Sequence, residues 1–536
     1  MPDTLLALHR QANWNDYFAN PQTCQAMLHI KRRCTSTRAA VLELASMGGS
    51  GQSGDGADKR WYEGEAAPPS GWFSPRRTPR AARDPHGGTY AEPSREVPVH
   101  LETDVLVVGG GPSGCAAATA AARLGADVTL VERYGHLGGL ATGGLVFWID
   151  RMTDWEGRQV ITGYADDVLG RLPEEAVYGP APELWGSTDP EQVVFWRPRQ
   201  KAFRGTVTWS PTVDPEWLKM VSVDLLEEAG AGIVLHSWAV DAIVEDGAVR
   251  GIVFESKQGR RAILARVVVD ATGDLDVCAL AGARYESDTD AGDVSHCLNV
   301  VWCFAGIDLA RWLTYARESP DEYREILRRG AEELGHLELP AAGWRNDVCV
   351  FMGPRLSGFD GLDVDDLTAV EIESRRRMAD HLRFYREHAP GFESAWIMTT
   401  ASQTGIRHTR RLTGVRKLAS EDWKAGVRFD DEIGVSPSPS QKFETVSVPY
   451  GSLLPVELDG ILASGRHIAC DPSTQSFMRE IPQCWVTGQA AGVAAALAVA
   501  SDQAPREVDA DRLRAELRRQ NVFLHVEAAS EAARAS

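Results

Sequence analysis

The 536-residue chain carries 75 acidic against 56 basic side chains, a formal net charge of −19, and 43% of its residues are hydrophobic. That length supports two or three packed domains around a large core, and the acidic balance argues against nucleic acid or an anionic membrane as the main partner. Its nine cysteines include no C-x-x-C pair, which excludes thiol–disulfide exchange of that type, zinc ribbons and the usual iron–sulfur ligand runs, so no metal site is expected.

Residues 1–98 read as a disordered leader. Leu5 to Ala26 and Thr37 to Met47 have helical potential, but Gly48 to Gly56 is Gly/Ser-rich and Pro68 to Pro98 is dense in Pro, Arg and Gly. Such segments bury too little apolar surface to offset their conformational entropy. No charged-apolar-cleavage pattern opens the chain, and the odd cysteine count fits reduced thiols, so a cytoplasmic location is expected.

The chain is organised around Asp104 to Gly144. Asp104 to Val108 is the apolar run of a strand buried on both faces, and Gly109, Gly111 and Gly114 follow at G-x-G-x-x-G spacing. At this spacing Gly109 permits the tight turn, Gly111 lets backbone N–H groups approach a pyrophosphate, and Gly114 lets the next helix pack close to the strand. An Ala-rich helix runs from about Cys115 to Leu124, Val128 to Val131 is a second buried strand, and Glu132 ends it where a carboxylate can accept both ribose hydroxyls of an adenosine. Gly138-Gly139 and Thr142-Gly143-Gly144 continue the glycine supply past that point. A nicotinamide dinucleotide has no need of this second segment, whereas FAD does, because its pyrophosphate and isoalloxazine both need close backbone approach.

From Val146 to Val213 the pattern is irregular, with Trp148, Trp155, Trp185, Trp196 and Trp209 among prolines and charges: a substrate-covering insert, or a small core under loops. Asp214-Pro215-Glu216 starts a helix whose inward face is expected at Trp217, Val221, Leu225 and Ala229. Ile233 to Lys257 alternates in short β runs with a hairpin turn at Asp246-Gly247, and Val267 to Asp270 is a buried strand returning to the nucleotide sheet. Residues 285–430 alternate short strands with charged helices such as Leu367 to His388. The basic cluster Arg407, His408, Arg410, Arg411, Arg416 and Lys417 follows, suited either to nearby carboxylates or to a substrate anion. Asp459 to Arg466 is a strand breaking into a Gly turn. The apolar stretch Cys484 to Ala500 is interrupted by Gln489 and Gly492 and is short for a span, so it reads as part of a buried helix, with no membrane.

Four segments in this order, GGGPSGCAAATAAARLGADVTLVERYGHLGGLATGG, ARVVVDATGDLDVCALAGARYE, TGIRHTRRLTG and GRHIACDPSTQSFMREIPQCWVTGQAAGVAAALA, resemble the FAD-dependent oxidoreductases, a branch of the glutathione-reductase-like flavoproteins related to fumarate reductase flavoprotein subunits. The resemblance spans about residues 100–520 and implies an α/β fold: a glutathione-reductase-like FAD-binding Rossmann domain with an inserted α+β substrate domain. The expected division is leader 1–98, FAD-binding parts 99–150, 214–284 and 441–524, substrate-covering insert 151–213, substrate or cap domain 285–440 and tail 525–536. The resemblance implies FAD contacts at Gly109, Gly111, Pro112, Ser113, Gly114, Glu132, Arg133, Gly138, Gly139 and Thr142. It also implies contacts at Val240, Ala271, Thr272, Gly273, Gly465 and Gln489, and places Arg479 near the flavin as an anion- or substrate-orienting group.

The activity implied is dehydrogenation or oxidation of a small organic molecule by hydride transfer to flavin N5, with a protein base removing a proton. Motif position singles out His467, His408 and Asp471 as bases, and Arg407 with Arg479 as groups for a carboxylate or carbonyl. Where relatives commonly carry His-Glu after the Gly-Arg turn, this chain has Cys470-Asp471-Pro472-Ser473, which leaves the base open. His136 has the chemistry for a covalent flavin link; non-covalent binding is the expectation. The rival readings are a single-component monooxygenase and a flavin-binding electron-transfer subunit; the absence of W-x-W disfavours a halogenase. A homodimer or an electron-accepting partner is compatible with either class.

Overall fold

The computed structural model describes residues 89–287, 298–356 and 358–525. The expected leader lies outside the described residues up to position 88, and so does the tail from 526; from Thr89 to Pro98 the chain is mostly exposed and irregular.

Strand β1 (Val99–Val108), helix α1 (Pro112–Arg123) and strand β2 (Val128–Val131) follow in the order the sequence predicts. After an irregular stretch holding helix α2 (Tyr164–Arg171), helix α3 (Pro215–Ala229) starts on Asp214, whose carboxylate accepts the Glu216 N–H at 2.8 Å. Its inward face is Leu218, Val221, Ser222 and Leu225, and Trp217 is exposed. The expected stripe advanced by four residues each time, whereas the 3.6-residue period carries Leu218 inward and Trp217 off the face.

Strands β3 (Gly232–Val234), β4 (Trp238–Glu245), β5 (Ala248–Ser256) and β6 (Gly259–Asp270) complete most of one sheet. Its order is β3-β2-β1-β6-β5-β4, parallel from β3 to β6 and antiparallel beyond. β6 pairs with β1 on one side, and on the other its first half pairs with β5 and its last three residues with a late strand. This one strand joins the parallel core to the antiparallel meander, and the short helix α4 (Asp276–Leu280) follows it.

Farther along the chain, strand β7 (Trp302–Ala305) precedes helices α5 (Leu309–Glu318) and α6 (Pro320–Leu334), then come β8 (Ala341–Ala342), β9 (Val348–Phe351), helix α7 (Val364–His388) and β10 (Trp396–Thr400). The four strands pair antiparallel in the order β8-β9-β7-β10. Period two splits their residues: Cys303, Ala341 and Val350 join the main core, while Trp302, Phe304 and Phe351 pack with Trp312, Tyr385 and Phe392 in a separate core.

The chain closes with β11 (Glu432–Ser436), β12 (Val446–Pro449), β13 (Ile461–Ala463), and helices α8 (Pro472–Met478), α9 (Ile481–Ala500) and α10 (Ala510–Arg519). β13 is the strand on the last residues of β6. Helix α9 is long and apolar enough to cross a membrane, but 89% of that window is buried inside the fold. It packs on α1 so closely that a Cβ on Gly488 or Gly492 would lie 2.1 Å from Ser113 O or 2.0 Å from Ala117 O. Trp185 stacks on Trp209, which packs against the main core, and Trp196 is buried with Ala202 and Val207 in a small core of its own.

Candidate active site

A cleft opens at the carboxyl ends of β1, β2 and β6, where open parallel sheets place their ligands. It is lined by Gly109, Glu132, Arg133, Trp238, Ala239 and Asp276, among others. Gly109 has φ +106°, and a Cβ there would lie 2.5 Å from Ala271 O, so only glycine fits. The Glu132 carboxylate is buried and each oxygen accepts a backbone N–H, Gly110 at 2.6 Å and Tyr134 at 2.8 Å. Burial pushes its pKa up while those two amides pull it back. Each oxygen keeps a lone pair for a further donor, as recognition of a ribose requires.

Beside the cleft the glycine segments meet. The Gly138 amide donates to Gly110 O at 2.8 Å, and Gly139 stacks against Gly111. Open space lies on the side of Gly111 where a Cβ would stand, at the start of α1, whose first turn holds no acidic residue. Free N–H groups of a first helical turn facing open space make an anion site. Ser113 bonds Ser464 at 2.7 Å, which brings the Gly465 turn to the same point, and Thr142 closes its own loop onto Leu137 O. Ala271, Thr272 and Gly273 end β6 against this region, with the Arg466 guanidinium over Gly273.

Two expected contacts stand elsewhere. Val240 is absent from the lining and Ala239 takes the place: a bulge between Ala239 and Asp241 shifts the register with β5 and with it the alternation of faces. Gln489 is spent within the protein, accepting the Tyr164 N–H at 2.9 Å and donating to Gln520 at 3.1 Å. Sequence reading missed Trp238 and Asp276. An exposed tryptophan opening a strand and an acidic residue two places after Asp274 were the available signals. Arg133 lies over the rings of both Tyr134 and Trp238.

The candidate bases are placed unequally. His467 is fully buried, its Nδ1 accepts the Leu275 N–H at 3.1 Å, and its Nε2 stands 3.1 Å from the Asp270 carbonyl oxygen. Both ring nitrogens are thus bound to backbone at the end of β6, and burial pushes its pKa down. The ring that motif position singles out as a base is thus already committed at both nitrogens. Asp471 caps α8, accepting from Thr474 at 2.7 Å and from the Ser420 amide, and these bonds hold its carboxyl below the ordinary range against the rise that burial gives. It too is committed to structure. His408 is buried, with Nε2 3.1 Å from a guanidinium nitrogen of Arg411. Arg407 is half-buried and its carbonyl accepts from Gln475. Arg479, half-buried between α8 and α9, pairs with Glu480 at 3.1 Å and keeps Nε without a partner. His136 lies over Gly143 and bonds Gln403 at 3.2 Å.

Three of the remaining members of the basic cluster answer carboxylates: Arg410 pairs with Asp276 at 3.1 Å, and Arg411 and Lys417 both reach Glu286, while Arg416 lies over the Phe429 ring. Outside the cluster, Arg466 pairs with Asp274 at 2.8 Å. Although burial opposes ionisation of Asp274, the Arg466 guanidinium and the Thr409 hydroxyl keep its carboxyl below the ordinary range. Among the described residues, no group of His, Cys, Asp and Glu side chains is arranged to hold a metal ion.

The sequence profile of the FAD dependent oxidoreductases matches residues 104–517. The chain belongs to the FAD dependent oxidoreductase family. Its cofactor is FAD, and the cradle fits it: a doubly anchored carboxylate for the ribose, an open helix N-terminus for the pyrophosphate, and buried polar atoms near α9 that lack partners. Within this FAD-dependent oxidoreductase, residues of one stretch are 30% identical to digeranylgeranylglycerophospholipid reductase 2 of Methanopyrus kandleri over 177 residues, 32% of this chain and 38% of that protein. Reductase 1 of the same organism is 30% identical over 176 residues, 32% of this chain and 40% of that protein. The match thus spans about two fifths of these relatives' length. Among solved structures, a geranylgeranyl bacteriochlorophyll reductase-like protein from Thermoplasma acidophilum is 15% identical, with 78% of this chain and 83% of that one covered and a TM-score of 0.40. The myxobacterial chondrochloren halogenase CndH is 15% identical, with 78% and 79% covered and a TM-score of 0.41.

Asp276 gives the FAD cleft a pH dependence. Burial first, then the Asp274 and Asp270 carboxylates, push its pKa up to about 6, against the pull of Arg410 and Arg133. A carboxyl raised on folding binds its proton more tightly in the folded state. Its stabilising contribution is therefore full below about pH 4, the unfolded value, and is lost as pH rises through the folded one. Asp276→Asn should leave the cofactor-free protein's stability unchanged near pH 4 and raise it by about 1–2 kcal/mol at neutral pH, a figure reduced for partial exposure. Urea unfolding at both pH values measures this; an equal gain at both would remove titration of Asp276 as the cause.

Proposed function

We propose that this FAD-dependent oxidoreductase dehydrogenates or oxidises a small organic molecule, with a glutathione-reductase-like arrangement of cofactor domain and cap. Bound FAD supplies the two-electron acceptor, which takes a hydride at N5. The observation that carries the reading is Arg479, held at the α8–α9 junction by Glu480 with a buried Nε left for a ligand. It orients a substrate carboxylate or carbonyl oxygen. His467 and Asp471 serve as structural clips in this scheme, and His408 is the remaining candidate for proton removal. Its Nε2 accepts from the Arg411 guanidinium, so taking up a proton there requires that bond to open.

Arg479→Met should lower kcat by about a hundredfold or more with flavin content unchanged, and Arg479→Lys should restore part of it. The assay is anaerobic bleaching of the bound flavin by a panel of alcohols, amines and acids. Flavin that bleaches with NADPH and returns in air with a hydroxylated product would instead establish a monooxygenase. A second reading, reduction of a carbon–carbon double bond, is favoured by the matched stretch of the two Methanopyrus reductases. Saturation of an isoprenoid alkene by the chemically reduced protein would establish it.

A further inference from the structure

Four buried polar atoms without partners fall in one short stretch: Arg466 Nε, Gln475 Oε1, Arg479 Nε and Gln483 Oε1. The two glutamine oxygens are the informative ones, because the surrounding network fixes which way each amide points. Gln475 is fully buried, and its Nε2 donates to the carbonyl oxygens of Arg407 at 3.1 Å and Arg466 at 3.3 Å. Carbonyls only accept, so the nitrogen must stand there and the oxygen is left over. Gln483 is 3% exposed, and its Nε2 donates to Ser436 Oγ at 2.9 Å. That hydroxyl spends its own proton on Pro437 O at 3.0 Å, so it serves Gln483 as an acceptor, and again the amide oxygen is left over.

The Gln475 side chain and the helical turn that carries Gln483 are both tied to the Gly465–Arg466 turn. Gln475 reaches it through Arg466 O; the backbone of Gln483 reaches it through Thr487, on the same helix face, whose hydroxyl donates to the Gln483 main-chain carbonyl at 2.9 Å and accepts from the Gly465 amide at 3.1 Å. Gly465 in turn abuts Ser113 in the first turn of α1. The ribose-binding carboxylate of Glu132 assigns the adenosine end of FAD to the cleft, so the ring system belongs at the other end. The oxidised isoalloxazine has one ring N–H, at N3, set between the C2 and C4 carbonyls. An imide edge of this kind needs an acceptor at its centre and donors at its sides. The stretch offers two glutamine oxygens as acceptors and the Arg466 Nε as a donor.

We infer that Gln475 and Gln483 form an acceptor site for the imide N–H of the flavin, fixing its pyrimidine edge at the start of α9. They are positioning residues that set where the ring lies. The inference rests on FAD binding and not on the direction of the reaction.

The test uses the full chain freed of flavin, titrated by fluorescence quenching with FAD and with N3-methyl-FAD, which lacks the donor. The unaltered protein should bind FAD about tenfold or more tightly than the methylated analogue. Gln475→Leu with Gln483→Leu should bind the two within about twofold of each other, chiefly through weaker FAD binding. Gln483→Glu keeps an acceptor oxygen opposite a hydroxyl that can rotate to donate, and should keep the preference. If the double variant does not fold, the two single leucine variants carry the comparison. Equal binding of both flavins by the unaltered protein would overturn the assignment, and so would a preference undiminished in the leucine variants, which would mark a steric effect of the methyl group. Failure to bind either flavin would instead refute the FAD site itself.

Discussion

Glu132→Ala is expected to yield protein that purifies without flavin and binds added FAD about a hundredfold or more weakly. Two ribose hydroxyls donating to a carboxylate are worth about 1.5–3 kcal/mol each, and both bonds vanish together. The same carboxylate also accepts the Gly110 and Tyr134 amides, so truncation leaves these donors without their acceptor. The cofactor-free variant should therefore lose about 2–4 kcal/mol of stability as well. Glu132→Gln separates the effects. It fills the space but presents an NH₂ to one of two N–H groups, and a donor facing a donor restores neither the loop nor the ribose site. Flavin absorbance of the purified variants, FAD titration and urea unfolding give the three readouts. Retention of stoichiometric flavin by Glu132→Ala, with affinity within threefold of the parent, would move the ribose site elsewhere.

That prediction was within reach of the sequence because its parts are local. A strand covered on both faces has to be an unbroken apolar run, the turn after it has to be glycine where a Cβ would meet Ala271 O, and the carboxylate follows at the end of the next strand. The return of β6 beside β1 was legible for the same reason, since Val267 to Asp270 needs cover on both faces.

What the sequence hid depends on partners far along the chain or on a one-residue shift. His467 looks like a base by motif position, yet its two partners, Leu275 and Asp270, lie 192 and 197 residues away, and nothing near His467 announces them. The basic cluster around Arg410 and Arg411 read equally as an anion site, because Asp276 and Glu286, which it answers, precede it by more than a hundred residues. Ala239 rather than Val240 lines the cleft because a bulge, invisible in the residue pattern, inverts the faces of β4 at that point. Gln475 and Gln483 lie inside the last of the four quoted segments, but nothing in it singles them out. Their interest arises only once the partners of their amide nitrogens are known.

The second large effect tests how the cofactor site is supported from below. Gly488→Ala and Gly492→Ala should each lower stability by about 3 kcal/mol or more, and the pair should prevent accumulation of flavin-bound protein. A Cβ at these positions would stand 2.1 Å from Ser113 O and 2.0 Å from Ala117 O, whereas a relaxed carbon–oxygen contact needs about 3.3 Å. The obstacles are backbone atoms of α1, so no rotamer change relieves them, and the two helices have to part by more than about 1 Å. Parting them moves the first turn of α1, which carries the open space beside Gly111, away from the Gly465 turn that Ser113 and Ser464 hold to it. FAD affinity should therefore fall together with stability even though neither glycine touches the cleft lining. Gly170→Ala supplies the contrast: this glycine lies in α2 with open space around its Cβ position, and alanine there should stabilise by about 0.5–1 kcal/mol through helix propensity alone. Thermal unfolding with and without added FAD reads all four variants. Glycine-to-alanine changes at 488 and 492 that behave like the one at 170 would show that α1 and α9 are free to separate, and the support assigned to this seam would be lost.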